Sequence, residues 1–592
     1  MSRDTTMLLI KHFQKYYLLY LWAFLPGILI LAGIDYLQLE IPRIIGTIID
    51  GLDVGTITEI SQVVEPLIYI SVIVIIMTIG RFLWRFLIFG AGRRIETDIR
   101  REMFMHATKL DQAYYSNQKI GSLMSYFIND LGAVRELFGF GTLMIVDGLF
   151  LGTFVLIRMF RLNWLMTVYA LIPIVLMGVL IYFINIKMEK KFKLRQEAFE
   201  SMSDYAQESF TGITVIKAYV REIKDAIRFK KRSLDVYDKS MDHMKYAIVV
   251  NVIIDALISL VILAIIAYGS ILIGYGNLSS GELTEYISYF FSLLWPVFAI
   301  SYFMNLNGQA HASAKRIYEF LESKPLVIEK EDAVKPLALV GSIKADHLSF
   351  KYPDAEHDIL HDLSFEINAG EMVGILGKTG SGKSTLVELL LHVYNTEPKM
   401  LYVGGEDIAT LSIKTLRDHI GYVPQDNFLY SDTIRNNIGF SFEKMDEDHL
   451  IEVAKLSDIH DNIVDFKEGY QTMLGERGVT VSGGQKQRIS IARALAKDPT
   501  ILILDDSVSA VDTKTEEAII SNLRKVRSGK TTLMIAHRIS TVKKLDKIIL
   551  LEKGHLIGFG SHDELLATNK TYQDMVKLQE LEALVGEVSN HA

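Results

Sequence analysis

The chain has 592 residues, a formal net charge of −8 and no cysteine, and 50% of its residues are hydrophobic. Such a length exceeds that of one domain, and the hydrophobic share is high for a soluble enzyme. The absence of cysteine excludes disulfides, thiolate metal sites and cysteine peptidase chemistry. The distribution of charge does not suggest a nucleic-acid partner.

Long apolar runs are confined to the first half of the chain, whereas the second half has the mixed composition of a soluble domain. A helix needs roughly 20 mostly apolar residues to cross the hydrocarbon core of a membrane. Six segments predict transmembrane helices, at about residues 16–38, 64–90, 142–160, 164–186, 246–274 and 283–306. We therefore expect a multi-pass membrane protein.

Positive charge is distributed unevenly between the connections of these predicted helices. The connection at 187–245 carries fourteen Lys and Arg residues and 93–135 is also basic, whereas 51–62 and 274–282 carry none. Because cationic connections stay on the cytoplasmic side, both termini are predicted to be cytoplasmic. The helical spacing of apolar residues over 196–229 indicates that the membrane helices extend into the cytoplasm.

A soluble domain is predicted after the membrane helices. The segment at 322–342 is rich in proline and charge, and it predicts a linker between a membrane domain at 1–321 and a soluble domain at 343–592. Short apolar strands alternate with helical patterns in the soluble part, at residues 371–376, 501–505 and 531–536. This alternation predicts an α/β fold in which helices pack against a parallel sheet.

A glycine-rich loop lies between the first of these strands and a helix predicted to start near Lys383. Its sequence, GKTGSGKS, fits the phosphate-loop pattern, in which glycines allow backbone N–H groups to surround phosphate oxygens. Lys383 is predicted to reach the β- and γ-phosphates, and the Ser384 hydroxyl to ligate Mg²⁺. The predicted phosphate-binding set is Gly377, Lys378, Thr379, Gly380, Ser381, Gly382, Lys383, Ser384 and Thr385.

A second feature of the same chemistry is Asp505, which ends the apolar run ILILD. A carboxylate at the end of a buried strand is expected to bind Mg²⁺, either directly or through water. The alternatives are a glycine-rich turn that arose by chance and an aspartate that caps a helix. The loop and the acid together favour a nucleotide site over either alternative.

The segment VSGGQKQR at 481–488 lies a short distance before ILILDD and resembles the signature motif of ABC transporters. Other motifs of that family follow in the same order, and the resemblance covers nearly the whole chain. It implies a six-helix, all-α membrane domain followed by an α/β P-loop nucleotide-binding domain with a helical subdomain. It also implies ATP and Mg²⁺ as cofactors and an ATPase that drives translocation.

The resemblance assigns roles to single residues in the soluble domain. It implies that Tyr352 stacks on adenine, that Gln425 contacts Mg²⁺ and that His537 is a switch histidine acting in catalysis. It implies further that sites form between two chains, where the signature of one chain faces the phosphate loop of the other. The residues assigned to that interface by resemblance are Ser482, Gly483, Gly484, Gln485 and Asp512.

Asp506 departs from the family pattern, in which a glutamate at this position polarises the attacking water. The shorter side chain falls short of that water, so we expect ATP to bind and to be hydrolysed slowly. The resemblance therefore implies a heterodimer with a homologous half-transporter that carries the glutamate. The subunits that it resembles are those of the BmrC or LmrC type, from bacterial heterodimeric multidrug exporters.

Two alternatives to this interpretation stay open. One is a homodimeric lipid or drug exporter that uses Asp506 as its base, and the other is a regulatory subunit that gates a channel. The fusion of six spans to one nucleotide domain resembles exporters, and we expect the bacterial plasma membrane as the location. A lesser departure from the family is Met473, which stands where many exporters have an acid.

Polar residues within the predicted spans offer the remaining hint about the cargo, because charges at membrane depth usually face protein or water. Asn251 and Asp255 share a face of the fifth span and predict a path for amphiphilic, cationic compounds. The alternative is interhelical hydrogen bonding, which has equal weight for Asp255 and is favoured for Asn251, Asp35 and Asp147. Aromatic residues that could line the same path are Tyr286, Tyr289, Phe290, Phe291, Trp295 and Phe298.

Two basic segments, at 114–136 and 208–219, resemble the cytoplasmic coupling regions of the family. The resemblance implies that their short helices dock on nucleotide domains. The alternative is that they are ordinary amphipathic helices packed against their neighbours.

Overall fold

The structure is a computed structural model, and it describes residues 13–118, 120–330, 332–336, 338–475, 478, 480–507 and 513–590. The side chains of residues 177–182, 185, 513 and 582–590 lie outside this description. The chain divides into two units, and each is described by itself. The first unit contains Met1–Thr108 and Ile120–Ser323, and the second contains Lys109–Lys119 and Lys324–Ala592.

Helices account for nearly all of the first 321 residues. They are α1 (Leu21–Asp53), α2 (Ser61–Ala107), α3 (Gln112–Asn117), α4 (Ile120–Leu162), α5 (Trp164–Thr211), α6 (Ile213–Ala218), α7 (Glu222–Gly274) and α8 (Ser280–Leu321). Residues 13–19, ahead of α1, are also helical. The long helices extend beyond the predicted spans, because polar helical sequence continues each apolar run without a helix-breaking segment.

Five helices in the described part of the chain, α1, α2, α4, α7 and α8, are long and apolar enough to cross a membrane. The helix α5 begins with an apolar segment, Trp164–Leu176, that is shorter than a span. The rest of the predicted fourth span, at 164–186, includes the side chains at 177–182 and 185 that lie outside the description. The chain is therefore a multi-pass membrane protein.

The helix α4 is irregular, because α-helical turns alternate with three π-helical turns. These are Tyr126–Asp130, Leu137–Gly141 and Asp147–Leu151. A π-helical turn inserts extra backbone into the helix and re-aims the side chains near it. These turns were not predicted from the sequence.

Three aromatic residues that were considered for a substrate path belong to the core of the first unit. Tyr286, Tyr289 and Phe290 are fully buried in one hydrophobic cluster. The Tyr289 hydroxyl donates to Glu285 Oε1 at 2.7 Å, and the Tyr286 hydroxyl donates to Thr167 Oγ1 at 3.2 Å. These side chains hold α8 against its neighbours, so the packing alternative describes them better than the path does.

The second unit contains two sheets. Its strands are β1 (Ile343–Phe350), β2 (Leu360–Ile367), β3 (Met372–Gly377), β4 (Leu401–Val403), β5 (Glu406–Asp407), β6 (Ile420–Val423), β7 (Ile501–Asp505), β8 (Thr531–Ile535), β9 (Lys547–Glu552) and β10 (His555–Gly560). The antiparallel sheet has the order β2-β1-β4-β5, and the larger sheet has the order β10-β9-β3-β8-β7-β6. In the larger sheet β3, β8, β7 and β6 are parallel neighbours, which confirms the predicted α/β fold with a parallel sheet.

Helices pack on both sides of this larger sheet, and their apolar faces form two buried clusters with it. They are α9 (Lys383–Leu390), α10 (Ile413–His419), α11 (Ile434–Ile438), α12 (Glu447–Leu456), α13 (His460–Val464), α14 (Gly483–Ala496), α15 (Thr513–Val526), α16 (Ile539–Val542), α17 (His562–Thr568) and α18 (Lys570–Asn590).

The short helix α3 belongs to the second unit, although it lies between two membrane helices in the sequence. Ala113 is part of the buried cluster around β1, β2 and β3. Asn117 Nδ2 donates to Asp354 Oδ2 at 2.6 Å, and Asp111 Oδ2 accepts from the Val327 backbone N–H at 3.1 Å. The first of the two segments that resemble coupling regions therefore begins within the fold of the second unit.

Candidate nucleotide site

The residues predicted to handle a nucleotide follow the carboxyl ends of four neighbouring parallel strands. The glycine-rich loop follows β3, His537 follows β8, Asp505 ends β7, and Gln425 follows β6. Because the strands are parallel neighbours, these residues share one edge of the sheet. The carboxyl edge of an α/β sheet is the usual place for ligand sites in such folds.

The glycine-rich loop turns the chain from β3 into α9. Gly380 and Gly382 have φ angles of 79° and 94°, a region that residues with a Cβ rarely adopt. A Cβ added at Gly382 would lie 2.5 Å from Leu360 Cδ2, so glycine is required there for space as well. The Lys383 ammonium donates to the carbonyl oxygens of Gly377 at 2.8 Å and Lys378 at 3.0 Å, which folds this side chain back over the loop.

The loop has the features of a phosphate site. The Ser381 hydroxyl oxygen is buried and is without a hydrogen-bond partner among the described residues. The loop leads into the N-terminus of α9, where unpaired backbone N–H groups and the helix dipole favour an anion. Burial lowers the pKa of the Lys383 ammonium, and the charges of Asp505 and Asp506 oppose that effect. A buried cation, an orphan hydroxyl and a helix N-terminus together fit a bound phosphate group.

Asp505 is buried at the end of β7 and lies against the start of α9. The Ser384 hydroxyl donates to its carboxylate, and Tyr422 on the neighbouring strand β6 is hydrogen-bonded to it as well. Burial and the charge of Asp506 raise the pKa of the Asp505 carboxyl, while Ser384 and Lys383 act in the opposite direction. A buried carboxylate beside a serine hydroxyl fits the donor set of a hard cation such as Mg²⁺.

Asp506 is the first residue after β7, and its backbone is left-handed, with a φ angle of 48°. Its N–H donates to the Ile535 carbonyl oxygen at 3.2 Å, and its carbonyl oxygen accepts from Gln487 Nε2 at 3.4 Å. Aspartate tolerates this conformation better than most residues. The backbone is therefore fixed between β8 and α14, and the reach of residue 506 depends on the length of its side chain.

Tyr352, the residue predicted to stack on adenine, is half-buried beside α9. Its hydroxyl donates a hydrogen bond to Glu388 Oε2 at 2.7 Å, and it lies 2.9 Å from Thr385 Oγ1. Its ring meets Tyr394 edge-on, with the ring centroids 5.0 Å apart. These contacts hold the ring near the helix that follows the phosphate loop. Glu388 and Tyr422 had not been singled out in the sequence, where isolated acidic and aromatic residues carry no signal.

The signature residues form the start of α14. Ser482 is the N-cap: its hydroxyl accepts from the Gln485 N–H at 3.3 Å, and Gln485 Oε1 accepts from the Ser482 N–H at 2.9 Å. This reciprocal pair is a capping box, a local reason for the helix to begin here. Ser482 and Gly483 are exposed. An exposed helix N-terminus with two glycines in its first turn leaves backbone N–H groups open to a ligand from outside.

Gln425 and His537 are both exposed in this structure. The His537 backbone carbonyl accepts from Gln579 Nε2 at 2.8 Å, while Gln579 Oε1 accepts from the Ile539 N–H at 2.7 Å. The C-terminal helix α18 thus clamps the segment that follows β8. Gln579 had not been identified from the sequence, because it lies 42 residues away from the histidine and in no motif.

Other predicted residues lie outside the described residues or elsewhere in the chain. Asp512 lies outside the described residues. Asn251 and Asp255 are exposed on α7 in the membrane unit, where Asp255 accepts the Ser259 hydroxyl through its backbone carbonyl. Met473 is 55% exposed and forms an isolated bridge with Thr433.

Comparisons with known proteins agree with this architecture. Residues 24–297 match the family described as "ABC transporter transmembrane region", and residues 360–509 match the family described as "ABC transporter". A solved structure of a bacterial Atm1-family ABC exporter with ATP bound has a TM-score of 0.77 at 23% identity, covering 95% of this chain and 98% of that chain. At that identity the likeness concerns the fold alone.

Curated relatives extend over almost the full length of the chain. A probable multidrug resistance ABC transporter ATP-binding/permease protein of Bacillus subtilis, YheI, is 35% identical over 96% of both chains. The multidrug resistance-like ATP-binding protein MdlA of Escherichia coli is 34% identical over 95% of both. An ATP-dependent lipid A-core flippase of Syntrophus aciditrophicus is 31% identical over 84% of this chain and 82% of its own length. The chain therefore belongs to the ABC transporter family, as an ATP-using half-transporter whose N-terminal membrane domain is fused to a nucleotide-binding domain.

Proposed function

We propose that this chain exports hydrophobic or amphiphilic compounds as one half of a heterodimer. In this proposal its own nucleotide site binds ATP but hydrolyses it slowly, and its signature residues complete the site of the partner chain. The multidrug names of two relatives support the class of cargo. The name of the flippase relative keeps lipid export as a variant of the same function.

The observation that carries the proposal is Asp506 beside an otherwise complete site. The backbone of residue 506 is held by Ile535 and Gln487, so it cannot advance to compensate for a side chain that is one methylene shorter than glutamate. A general base must lie within hydrogen-bond reach of the proton that it abstracts. The short side chain therefore supports slow hydrolysis, whereas the intact phosphate loop supports binding.

The residues that would hold ATP have distinct tasks. Lys383 and the loop N–H groups bind phosphate oxygens, and Tyr352 offers its ring to the base. Asp505, Ser384 and Gln425 are the oxygen donors that would hold Mg²⁺ at the same sheet edge. A bound Mg²⁺ neutralises charge on the phosphates. His537 follows β8 at this edge, where it would act as the switch histidine that the family resemblance implies.

The need for a second chain is supported by exposed apolar surface in the membrane unit. Helix α6 has no buried residue, and Val215, Tyr219, Val220 and Ile223 in and around it are 61–82% exposed. Such contiguous exposure marks a surface that is covered by a partner. This segment is the second of the two that resemble coupling regions, and its docking on a partner's nucleotide domain is part of the proposal.

The orientation of the chain also belongs to the proposal. The basic connections at 93–135 and 187–245 support cytoplasmic termini, and the bacterial relatives support a bacterial plasma membrane. The cargo would then leave the cytoplasm, and the nucleotide unit would meet cytoplasmic ATP.

The test compares the purified full-length chain alone with its complex with a homologous half that carries the glutamate. We expect slow ATP turnover by the chain alone, fast turnover by the complex, and little change in the complex on Asp506→Asn. The binding of a fluorescent ATP analogue to the Asp506→Asn variant provides the control for an intact site. Fast turnover by the chain alone that is lost on Asp506→Asn overturns the heterodimer.

That last outcome defines the second candidate, a homodimer in which Asp506 is the base. The proximity of Asp506 to Asp505 and Lys383, whose pKa values it influences, favours this candidate. Both candidates retain ATP-driven export.

A further inference from the structure

A cavity of about 800 Å³ lies inside the membrane unit, among the helices α1, α2, α4 and α8. Two acidic residues line it, Asp35 from α1 and Asp147 from α4. Asp147 begins a π-helical turn, an irregularity that often occurs where a helix serves a site.

Both carboxylates are buried and incompletely paired. Asp35 is 4% exposed, and its Oδ2 atom has no hydrogen-bond partner among the described residues. Asp147 is 8% exposed; its Oδ2 atom accepts from Trp295 Nε1 at 2.7 Å, whereas its Oδ1 atom has no partner in the described part of the chain. A buried carboxylate costs free energy unless a proton, a hydrogen-bond donor or a cation satisfies it. Two such oxygens in one cavity can be satisfied by a cationic ligand.

Two arginines also line the cavity, and they decide how much negative charge is left. Arg81 lies within electrostatic range of Asp35 and donates to Gln38 Oε1 at 3.3 Å. The Arg85 guanidinium lies 5.4 Å from the centre of the Trp84 ring. Both arginines are exposed, in contrast to the acids. Arg81 offsets part of the charge of Asp35, whereas no cationic side chain in the described part of the chain is paired with Asp147.

The remaining wall of the cavity is apolar and aromatic. Phe291 and Trp295 from α8 and Trp84 and Phe89 from α2 contribute rings to it. Aromatic faces attract cations and also accept the hydrophobic body of a ligand. The indole N–H of Trp84 also has no hydrogen-bond partner among the residues that the structure describes. Because it is a donor, it does not add to the attraction for a cation.

We propose that this cavity binds a hydrophobic monovalent cation, whose charged centre is held by Asp35 and Asp147 and whose body packs against the aromatic wall. The interpretation from the sequence weighed such a role for Asp255 equally with hydrogen bonding, and it favoured hydrogen bonding for Asp35 and Asp147. Asp255 is exposed and is not among the residues that line this cavity. The identification of the bound cation as cargo rests on the proposed export function, whereas the binding itself does not.

The experiment uses the full-length chain in detergent micelles and two probes of matched shape and opposite charge, tetraphenylphosphonium and tetraphenylborate. Binding is measured by equilibrium dialysis and by the change in intrinsic tryptophan emission, to which Trp84 and Trp295 contribute. We expect saturable binding of the cation, and a dissociation constant raised about tenfold or more by Asp35→Asn or Asp147→Asn, because each removes a charged partner. Asp255→Asn is the matched control and leaves the constant unchanged.

Two results overturn the inference: equal affinity of the wild type and of both cavity variants for tetraphenylphosphonium, or a preference for tetraphenylborate. Either aspartate variant tests the site by itself if the other fails to fold, and retained binding of a fluorescent ATP analogue reports folding. Transport is measured separately, in vesicles that contain the complex. Cation binding without ATP-driven movement of the cation rejects the export function and leaves the site, whereas movement that is insensitive to both substitutions rejects the site and leaves the function.

Discussion

Asp505 and Asp506 are adjacent acids with different surroundings. Asp505 is buried and bonded by the Ser384 hydroxyl, whereas Asp506 lies in a left-handed turn that its backbone hydrogen bonds fix in place. Both residues were identified from the sequence, because a short apolar run that ends in two acids can be recognised without a structure. The sequence could not indicate the turn, which is imposed by the contacts of Asp506 with β8 and with Gln487.

The first prediction concerns the length of the side chain at position 506. We expect Asp506→Glu to raise ATP turnover at this chain's own site by a factor on the order of 10 to 100, since a positioned general base typically contributes about 10²- to 10⁴-fold. The measurement is phosphate release by the complex in which the partner's site is inactivated. The same variant with Lys383→Ala is the control and stays inactive. An unchanged rate in Asp506→Glu contradicts the prediction.

The second prediction concerns pH. Because burial and the charge of Asp506 raise the pKa of Asp505, Mg²⁺-dependent nucleotide binding should weaken on acidification at a higher pH than an ordinary aspartate would give. Asp506→Asn removes the like charge and lowers the pKa of Asp505, so the acid limb should move to lower pH. A pH titration of a fluorescent ATP analogue, with and without Mg²⁺, measures the midpoint. A midpoint that stays in place, or moves upward, argues against this account.

The raised pKa of Asp505 also affects how the stability of the fold depends on pH. A carboxyl whose pKa is raised in the fold binds more protons there than in the unfolded chain, so the nucleotide-free unit loses stability as the pH rises from the ordinary aspartate value through the raised pKa of Asp505.

Among the elements, the strands of the larger sheet were the most predictable. The runs at 371–376, 501–505 and 531–536 correspond to β3, β7 and β8, because strands buried on both faces read as continuous apolar segments. The strands β4 and β5 are too short to leave a pattern. The sequence also could not predict that α3 belongs to the second unit, because this depends on contacts with residues more than 200 positions away.

The third prediction concerns the clamp between α18 and the segment after β8. Gln579→Ala removes the hydrogen bonds to His537 and Ile539, and each such bond contributes about 1 kcal/mol. We expect hydrogen exchange at the Ile539 amide to accelerate by roughly fivefold or more. Gln573→Ala, on the same helix and bonded to the Leu566 carbonyl, is the control and should leave that amide unchanged. Equal protection in the two variants contradicts a specific clamp.

At the scale of the whole molecule, the sequence indicated the order of parts, and the comparisons confirm it: a membrane domain followed by an ABC transporter nucleotide domain. Charge and hydropathy suffice for that order, because membrane insertion depends on composition. The cavity between α1, α2, α4 and α8 was not predictable, because it depends on the packing of four helices and on a π-helical turn in one of them. The sequence does not show whether a single acid such as Asp35 has a hydrogen-bond partner in the fold.

The fourth prediction tests the unequal roles of the two chains. A Cβ added at Gly483 meets open space in this chain, so Gly483→Glu should leave its own fold intact. In the complex the new carboxylate would face the phosphates bound to the partner, and we expect turnover to fall on the order of 10²-fold. Asp506→Asn in the same complex should change turnover by less than about twofold. Turnover assays of both variants make the comparison, and a larger loss in Asp506→Asn than in Gly483→Glu reverses the assigned roles.

The placement of α3 within the second unit affects how this protein can be recombined with its relatives. A chimera joined at residue 324 would receive a foreign nucleotide domain while keeping its native 109–119, and Asn117 would then lack the Asp354 that it bonds here. Exchange of both stretches together preserves that pair and the capping of Leu326 and Val327 by Asp111. The nucleotide unit of this chain is therefore discontinuous in sequence, and grafts that carry both of its pieces should be more stable than grafts of the C-terminal piece alone.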